Sequence, residues 1–271
     1  RRIERRLTAA AHWFAEQLPR HCVGQVDLLF TSEAMNLAEL YRLMPSLLKQ
    51  QSVVYFHSNQ LPHPAAKSDN PIDTANLNTA AAATEIWFNS NFHQKDFLSR
   101  AKAMIARHPE LSGRSPMPEL IAKSRLMRAP VDFTPIQHIR VKEEIVRKKR
   151  GVFVDTRDAN VRLLNTAFAT LQRRGEKFDL TTIGPVEELL ADLPRTTLVE
   201  SDESAHIRAM LSSGIFLSAK VGCPSDYRAV RACAAGCWPI VPKVGCYAEF
   251  LPRRIHAQAM YDGTADDLIS R

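Results

Sequence analysis

The sequence predicts an α/β protein built as two Rossmann-like parallel-sheet domains facing a cleft. Three observations carry that expectation. Runs such as Ser52-Val53-Val54-Tyr55-Phe56-His57 and Gly214-Ile215-Phe216-Leu217-Ser218 are apolar without polar alternation, as strands covered on both faces are. Helical patterns alternate with these runs, which means βαβ units. Pro130 and Pro135 then interrupt the alternation where one set of strands ends and another begins. A chain of 271 residues, 45% hydrophobic and 24% charged, accommodates two domains of roughly 130 residues, each with its own core. That composition excludes a disordered or collagen-like chain. No apolar run reaches the roughly 18 residues that a membrane-spanning helix needs.

Taken in order, Ile3, Leu7, Ala10, Phe14 and Leu18 recur at helical spacing and predict a helix over 2–18. Arg1, Arg2, Arg5 and Arg6 lie on its other side. Residues 26–30 read as a buried strand, 33–49 as a helix ended near Pro45, and 52–57 as a strand. A loop marked by Pro62, Pro64 and Pro71 follows. The pattern then predicts a helix over 74–83, a strand over 86–89, a helix over 92–107 and a strand over 125–129. In the second half, strands are expected over 151–155, 178–183, 197–200, 214–218 and 239–241. Helices over 159–174, 186–193, 204–213 and 227–235 alternate with them. The resulting domains are 1–135, a basic linker over 136–150, and 151–271.

Thirty-six Lys and Arg against 29 Asp and Glu give a net charge of +7, compatible with nucleic acid or with nucleotide-sugar phosphates. The densest basic run is Arg140, Lys142, Arg147, Lys148, Lys149 and Arg150. On a helix, Glu143 would pair with Arg147 and Glu144 with Lys148, leaving the other cations unexplained. Arg1, Arg2, Arg5 and Arg6, together with Arg147, Lys148, Lys149 and Arg150, are therefore the RNA-contact candidates. The five cysteines (Cys22, Cys223, Cys233, Cys237 and Cys246) form no CxxC pair. They are expected to be free thiols in a reducing compartment, the mitochondrial matrix or the cytoplasm, and no metal site is expected.

Ligands of open parallel sheets sit beyond the carboxyl ends of strands. That rule selects His57-Ser58-Asn59-Gln60, Asn89-Ser90-Asn91, Thr156-Arg157-Asp158 and the loop 218–226. Asn76 reads as a helix N-cap. Neither GxGxxG nor GxxxxGK[ST] is present, so a dinucleotide or P-loop site lacks support.

Several motifs together resemble one family. They are Tyr55-Phe56-His57-Ser58-Asn59-Gln60-Leu61, Asn76-Leu77, Trp87-Phe88-Asn89-Ser90-Asn91-Phe92-His93 and Asp96-Phe97-Leu98. Ser32, Asn36-Leu37, Met117-Pro118, Pro130-Val131-Asp132, Ala234-Ala235-Gly236-Cys237-Trp238-Pro239 and Tyr247-Ala248-Glu249 extend the likeness over most of the chain. The chain resembles the tRNA-queuosine mannosyltransferase-like glycosyltransferases of GT-B architecture. The resemblance implies an acceptor side in the first half, whose opening strand is missing here, and a donor side in the second. It also implies metal-independent transfer of mannose from GDP-mannose to queuosine in tRNA, without a cofactor.

At the chemistry the sequence departs from that pattern. Two donor-holding carboxylates are expected at 223 and 231, where Cys223 and Arg231 stand, and a glycine of the same loop falls at Asp226. Arg157 and Arg162 retain a cationic pair for phosphate, with Asn89 and Ser90 as further donor candidates. His57, Asn59 and Gln60 are the ancestral cleft residues, and no catalytic residue is identified. The expected function is accordingly that of a transferase-like protein that has lost catalysis. It would serve as a structural or RNA-associated component of a ribonucleoprotein assembly such as an organellar ribosome, with rRNA or tRNA and proteins as partners. The alternative is a divergent but active mannosyltransferase, a metal-independent hexosyltransferase.

Overall fold

The computed structural model describes residues 2–22, 24, 26–65, 71–108, 115–185, 189 and 193–271, without the side chains of residues 2–8. The chain divides into two compact units, Arg1–Ala129 and Pro130–Arg271.

In the first unit, α1 (Arg2–His21), β1 (Leu28–Ser32), α2 (Leu37–Leu43) and β2 (Gln51–Phe56) are followed by α3 (Pro71–Ala82) and β3 (Glu85–Phe88). Then come α4 (Asn91–Ala106), α5 (Met117–Ala122) and β4 (Ser124–Leu126). The four strands pair in chain order, all parallel. The single helix expected over 33–49 is instead α2 and a 3-10 turn, Pro45–Lys49. Proline disfavours a helical residue before it, and Met44 accordingly leaves the helical region at φ −132°. Asn36 caps α2 by accepting from Glu39 N–H at 3.2 Å.

Phe56, Phe88 and Phe97 form the aromatic centre of this core, with ring centroids 4.8–5.4 Å apart. Burying each such ring contributes on the order of 2–3 kcal/mol. Lys123 is also buried, and its ammonium donates to the carbonyls of Ala81 at 2.6 Å and Ala83 at 2.8 Å. It thereby satisfies carbonyls at the end of α3, where positive charge is favoured.

The second unit runs α6 (Thr134–Lys142), β5 (Lys148–Asp155), α7 (Val161–Arg173), β6 (Asp179–Ile183), β7 (Arg195–Leu198) and α8 (Glu203–Ser212). It continues with β8 (Ser213–Leu217), α9 (Tyr227–Ala235), β9 (Trp238–Pro242) and α10 (Tyr247–Phe250). After these come α11 (His256–Ala259), β10 (Met260–Tyr261) and α12 (Ala265–Ser270). The sheet order is β10-β9-β8-β5-β6-β7, parallel throughout. Most of the helix expected over 186–193 lies outside the described residues.

The segment expected as a basic linker, 136–150, is instead part of the second unit. Ile136 on α6 is 1% exposed and belongs to this unit's core, and β5 already begins at Lys148. Glu143 turns extended at φ −124°, so the expected i,i+4 helix pairs do not form. Glu143 binds Arg208 at 2.7 Å, Lys148 faces Asp179 at 3.5 Å, and Arg150 faces Glu176 at 3.4 Å. Arg147 spans two elements instead. Its guanidinium donates to Ser213 O at 2.8 Å and to Ala235 O at 2.6 Å, joining the start of β8 to the last turn of α9. Gly236 ends α9 at φ +95°, a left-handed conformation that a side chain would strain.

Candidate functional site

The polar groups of the second unit gather at the carboxyl ends of β5 and β8, where an open parallel sheet places its ligands. Asp155 is the last residue of β5 and is fully buried. Arg157 folds back onto it, with Nε at 3.0 Å and Nη2 at 2.9 Å. Lys220, just beyond β8, reaches the same carboxylate at 3.0 Å, and Arg228 Nε reaches it at 3.2 Å. Burial pushes the Asp155 carboxyl up, but the Arg157 hydrogen bonds and the charges of Lys220 and Arg228 outweigh it and hold the group at about 2. The opposite edge of Arg157 donates to Glu200 at 2.8 Å. Gly184 permits this arrangement, since a Cβ there would lie 2.7 Å from Arg157 Cγ.

Asp226 opens α9 by accepting from Ala229 N–H at 3.1 Å. It also accepts from Tyr247 Oη at 2.9 Å, and Tyr247 Oη is 2.7 Å from Ser218 Oγ. Arg231, further along α9, donates to Glu203 at 2.7 Å. A cavity of about 300 Å³ lies among Asp155, Arg157, Lys220, Asp226, Arg228 and Arg231. Among the described residues, no three His, Cys, Asp or Glu side chains are grouped so as to hold a metal ion.

The predicted site residues divide in two. Arg157, Asp226 and Arg231 line this cavity, whereas Arg162 is exposed on α7 and is not part of the lining. The expected cationic pair is therefore not assembled. Arg228 and Lys220 stand with Arg157 instead. Cys223 points its thiol at Ser225 O, 3.0 Å away, and is also outside the lining.

In the first unit the loop after β2 is tied down by Glu33. This carboxylate accepts from His57 N–H and Ser58 N–H, both at 3.1 Å, and meets His57 Nδ1 at 3.1 Å. Asn59 donates to Asp96 at 2.6 Å and Gln60 to Ser58 Oγ at 2.7 Å. Asn89 donates to His57 O at 2.9 Å, and Ser90 caps α4 by accepting from His93 N–H. His93 is fully buried, which lowers its pKa to about 4. Asn76 is not the expected cap: it sits within α3 and donates to Glu33 O and Ile72 O.

Of the RNA-contact candidates, Arg1 and the side chains of Arg2, Arg5 and Arg6 lie outside the described residues. Arg147, Lys148, Lys149 and Arg150 are all exposed, but the Arg147 guanidinium is spent on Ser213 O and Ala235 O. Sequence reasoning missed Asp155, Arg228 and Glu33, and it named Lys220 only within the loop 218–226 and Tyr247 only within a family motif, with no role for either. Asp155 left one legible signal, a carboxylate closing the apolar strand run Val152-Phe153-Val154.

Residues 1–131 match the family described as tRNA-queuosine alpha-mannosyltransferase N-terminal. The tRNA-queuosine alpha-mannosyltransferase of Drosophila melanogaster is 25% identical over 273 residues, covering 91% of this chain and 70% of the fly protein. Among solved structures, the catalytic domain of starch synthase IV from Arabidopsis thaliana matches 99% of this chain and 68% of its own, with TM-score 0.67 and 12% identity. Sucrose-phosphate synthase from Thermosynechococcus elongatus matches 97% and 67%, with TM-score 0.64 and 13% identity. At such identities these likenesses establish the fold, that of the GT-B glycosyltransferases.

Proposed function

We propose that this glycosyltransferase-like chain, a relative of the tRNA-queuosine mannosyltransferases, has lost sugar transfer and serves as a structural or RNA-associated component of a ribonucleoprotein assembly. The observation that carries the loss of transfer is the engagement of the cavity cations by carboxylates of the chain itself. A departing diphosphate gathers negative charge, and its stabilisation depends on donors already aimed at it. Here both edges of Arg157 rest on Asp155 and Glu200, while Lys220 and Arg228 also meet Asp155. Turning them toward a donor would uncover a buried carboxylate, at roughly 3–5 kcal/mol. Arg231 stands where the resemblance expects a ribose-holding carboxylate. A guanidinium only donates, and this one is held by Glu203.

The net charge of +7 and the exposed Lys148, Lys149 and Arg150 support the RNA-associated role. Cations on a surface gain affinity for a phosphate backbone by releasing counterions, without base specificity.

Calorimetric titration with GDP-mannose and a transfer assay on queuosine-containing tRNA test the first part. No binding heat and no product are expected, and robust mannosylation by the chain alone would establish the active alternative. Salt-dependent RNA binding tests the second. Affinity should fall steeply between roughly 50 and 200 mM salt, and neutralising Lys148, Lys149 and Arg150 should flatten the log–log slope by about 2. Undetectable RNA affinity at low salt removes the RNA role and leaves a protein partner.

A further inference from the structure

We propose that Cys223 and Cys246 form an oxidisable dithiol site, in which Cys223 captures a small-molecule disulfide and Cys246 then closes an internal disulfide with it. The fold brings the two residues together, Cys223 from the loop ahead of α9 and Cys246 from the turn between β9 and α10. Cys246 N–H donates to Cys223 O at 3.0 Å, which keeps their Cα atoms within about 7 Å, the reach of a disulfide. Gly245 makes this approach possible. At φ +93° it has no Cβ to meet Cys223, where one would lie 2.9 Å from the carbonyl oxygen and 3.2 Å from the nitrogen. The thiols themselves meet, with the Cys246 S–H donating to Cys223 Sγ.

Their settings divide the chemistry. Cys223 is half-buried and open to a reagent, whereas Cys246 is 4% exposed. The bond from Cys246 holds the Cys223 thiol below the usual thiol range, with the charge of Lys220 in support, against burial and the charge of Asp226. The same bond, together with burial, pushes the Cys246 thiol up. An accessible, readily ionised sulfur beside a protonated one suits an attacking and a resolving cysteine. The Cys223 thiolate attacks one sulfur of the reagent and leaves a mixed disulfide. The half released takes up the proton that Cys223 gave to solvent. The Cys246 sulfur then attacks Cys223, and the second half departs with the Cys246 proton. Two protein thiols thus lose two electrons, and the reagent gains them as two thiols. Neither cysteine lines the cavity, so the site stands whether or not sugar transfer is retained. The new bond would staple the two loops that Asp226 and Tyr247 already join at 2.9 Å.

The test adds glutathione disulfide to the full chain, alkylates the remaining thiols and maps them by peptide mass spectrometry. Cys22, an exposed thiol, is the internal reference. Cys223 is expected to react several-fold faster than Cys22 although it is the more buried. A peptide linked through Cys223 and Cys246 should accumulate and revert with dithiothreitol. In urea the rate advantage of Cys223 should vanish. Cys246→Ser should accumulate a glutathione adduct on Cys223, and Cys223→Ser should leave Cys246 unmodified. If Cys223 and Cys246 are both still alkylated once Cys22 is glutathionylated, the site is overturned. A glutathione adduct that persists on wild-type Cys223, or a link from Cys246 to another cysteine, overturns it equally. So does an advantage of Cys223 that survives in urea, because the fold is then not its source. The wild-type map decides the question even where a substituted chain fails to fold.

Discussion

Replacing Asp155 with Asn removes one negative charge from beneath three cations while keeping the shape of the side chain. The carboxyl stands at about 2 against an ordinary value of 3.8. At about 1.4 kcal/mol for each ten-fold change in proton affinity, that gap corresponds to roughly 2–3 kcal/mol of stability at neutral pH. Leaving Arg157, Lys220 and Arg228 partly uncompensated in a buried setting raises the expected loss toward about 5 kcal/mol. Because the folded value lies below the ordinary one, this stabilisation is complete above about pH 4 and fades as pH falls toward 2. Urea unfolding of the wild type and of Asp155→Asn at pH 7 and at about pH 3, followed by circular dichroism and by amide exchange of β5 and α9, measures both effects. The difference between the two proteins should be large at pH 7 and smaller at pH 3. A variant within about 0.5 kcal/mol of wild type at pH 7, or a difference equal at the two pH values, would refute the reasoning.

Tyr247→Phe should destabilise the second unit by about 1.5–3 kcal/mol in the same urea assay, because Asp226 loses a buried donor. Arg147→Ala should lose roughly 1–2 kcal/mol by removing the bonds to the carbonyls of Ser213 and Ala235, whereas Lys149→Gln should stay within about 0.5 kcal/mol. Gly236→Ala should lower thermal stability by about 1–3 kcal/mol, since φ is +95° and its Cβ would lie 2.8 Å from the Arg147 guanidinium. Combining it with Arg147→Ala should cost less than the sum of the two singles, which a double-mutant cycle measures.

What the sequence disclosed depended on how local the signal was. The run Ser52–Phe56 and the helix Tyr227–Ala235 are legible because their patterns are complete within a few residues. Segment 136–150 was misread because its charges are conspicuous, while the two apolar anchors that seat α6, Ile136 and Ile139, are sparse. Arg147 looks like surface charge in the sequence, yet its acceptors lie 66 and 88 residues away. Asp155 and Lys220 are separated by 65 residues, so only the folded sheet reveals that they meet. The closing elements α10, α11, β10 and α12 are each too short to carry a period of their own.

The buried ammonium of Lys123 has a consequence for how the first unit opens. It grips carbonyls at the end of α3 from a position next to β4, so neither element can fray without releasing the other. Its amine is 8% exposed as a residue, and burial pulls its pKa down. Once the grip is released, Lys123 becomes as reachable by an acylating reagent as the lysines on the surface. Its rate of chemical labelling, read by mass spectrometry against those surface lysines, is thus an internal clock for the breathing of this half of the chain.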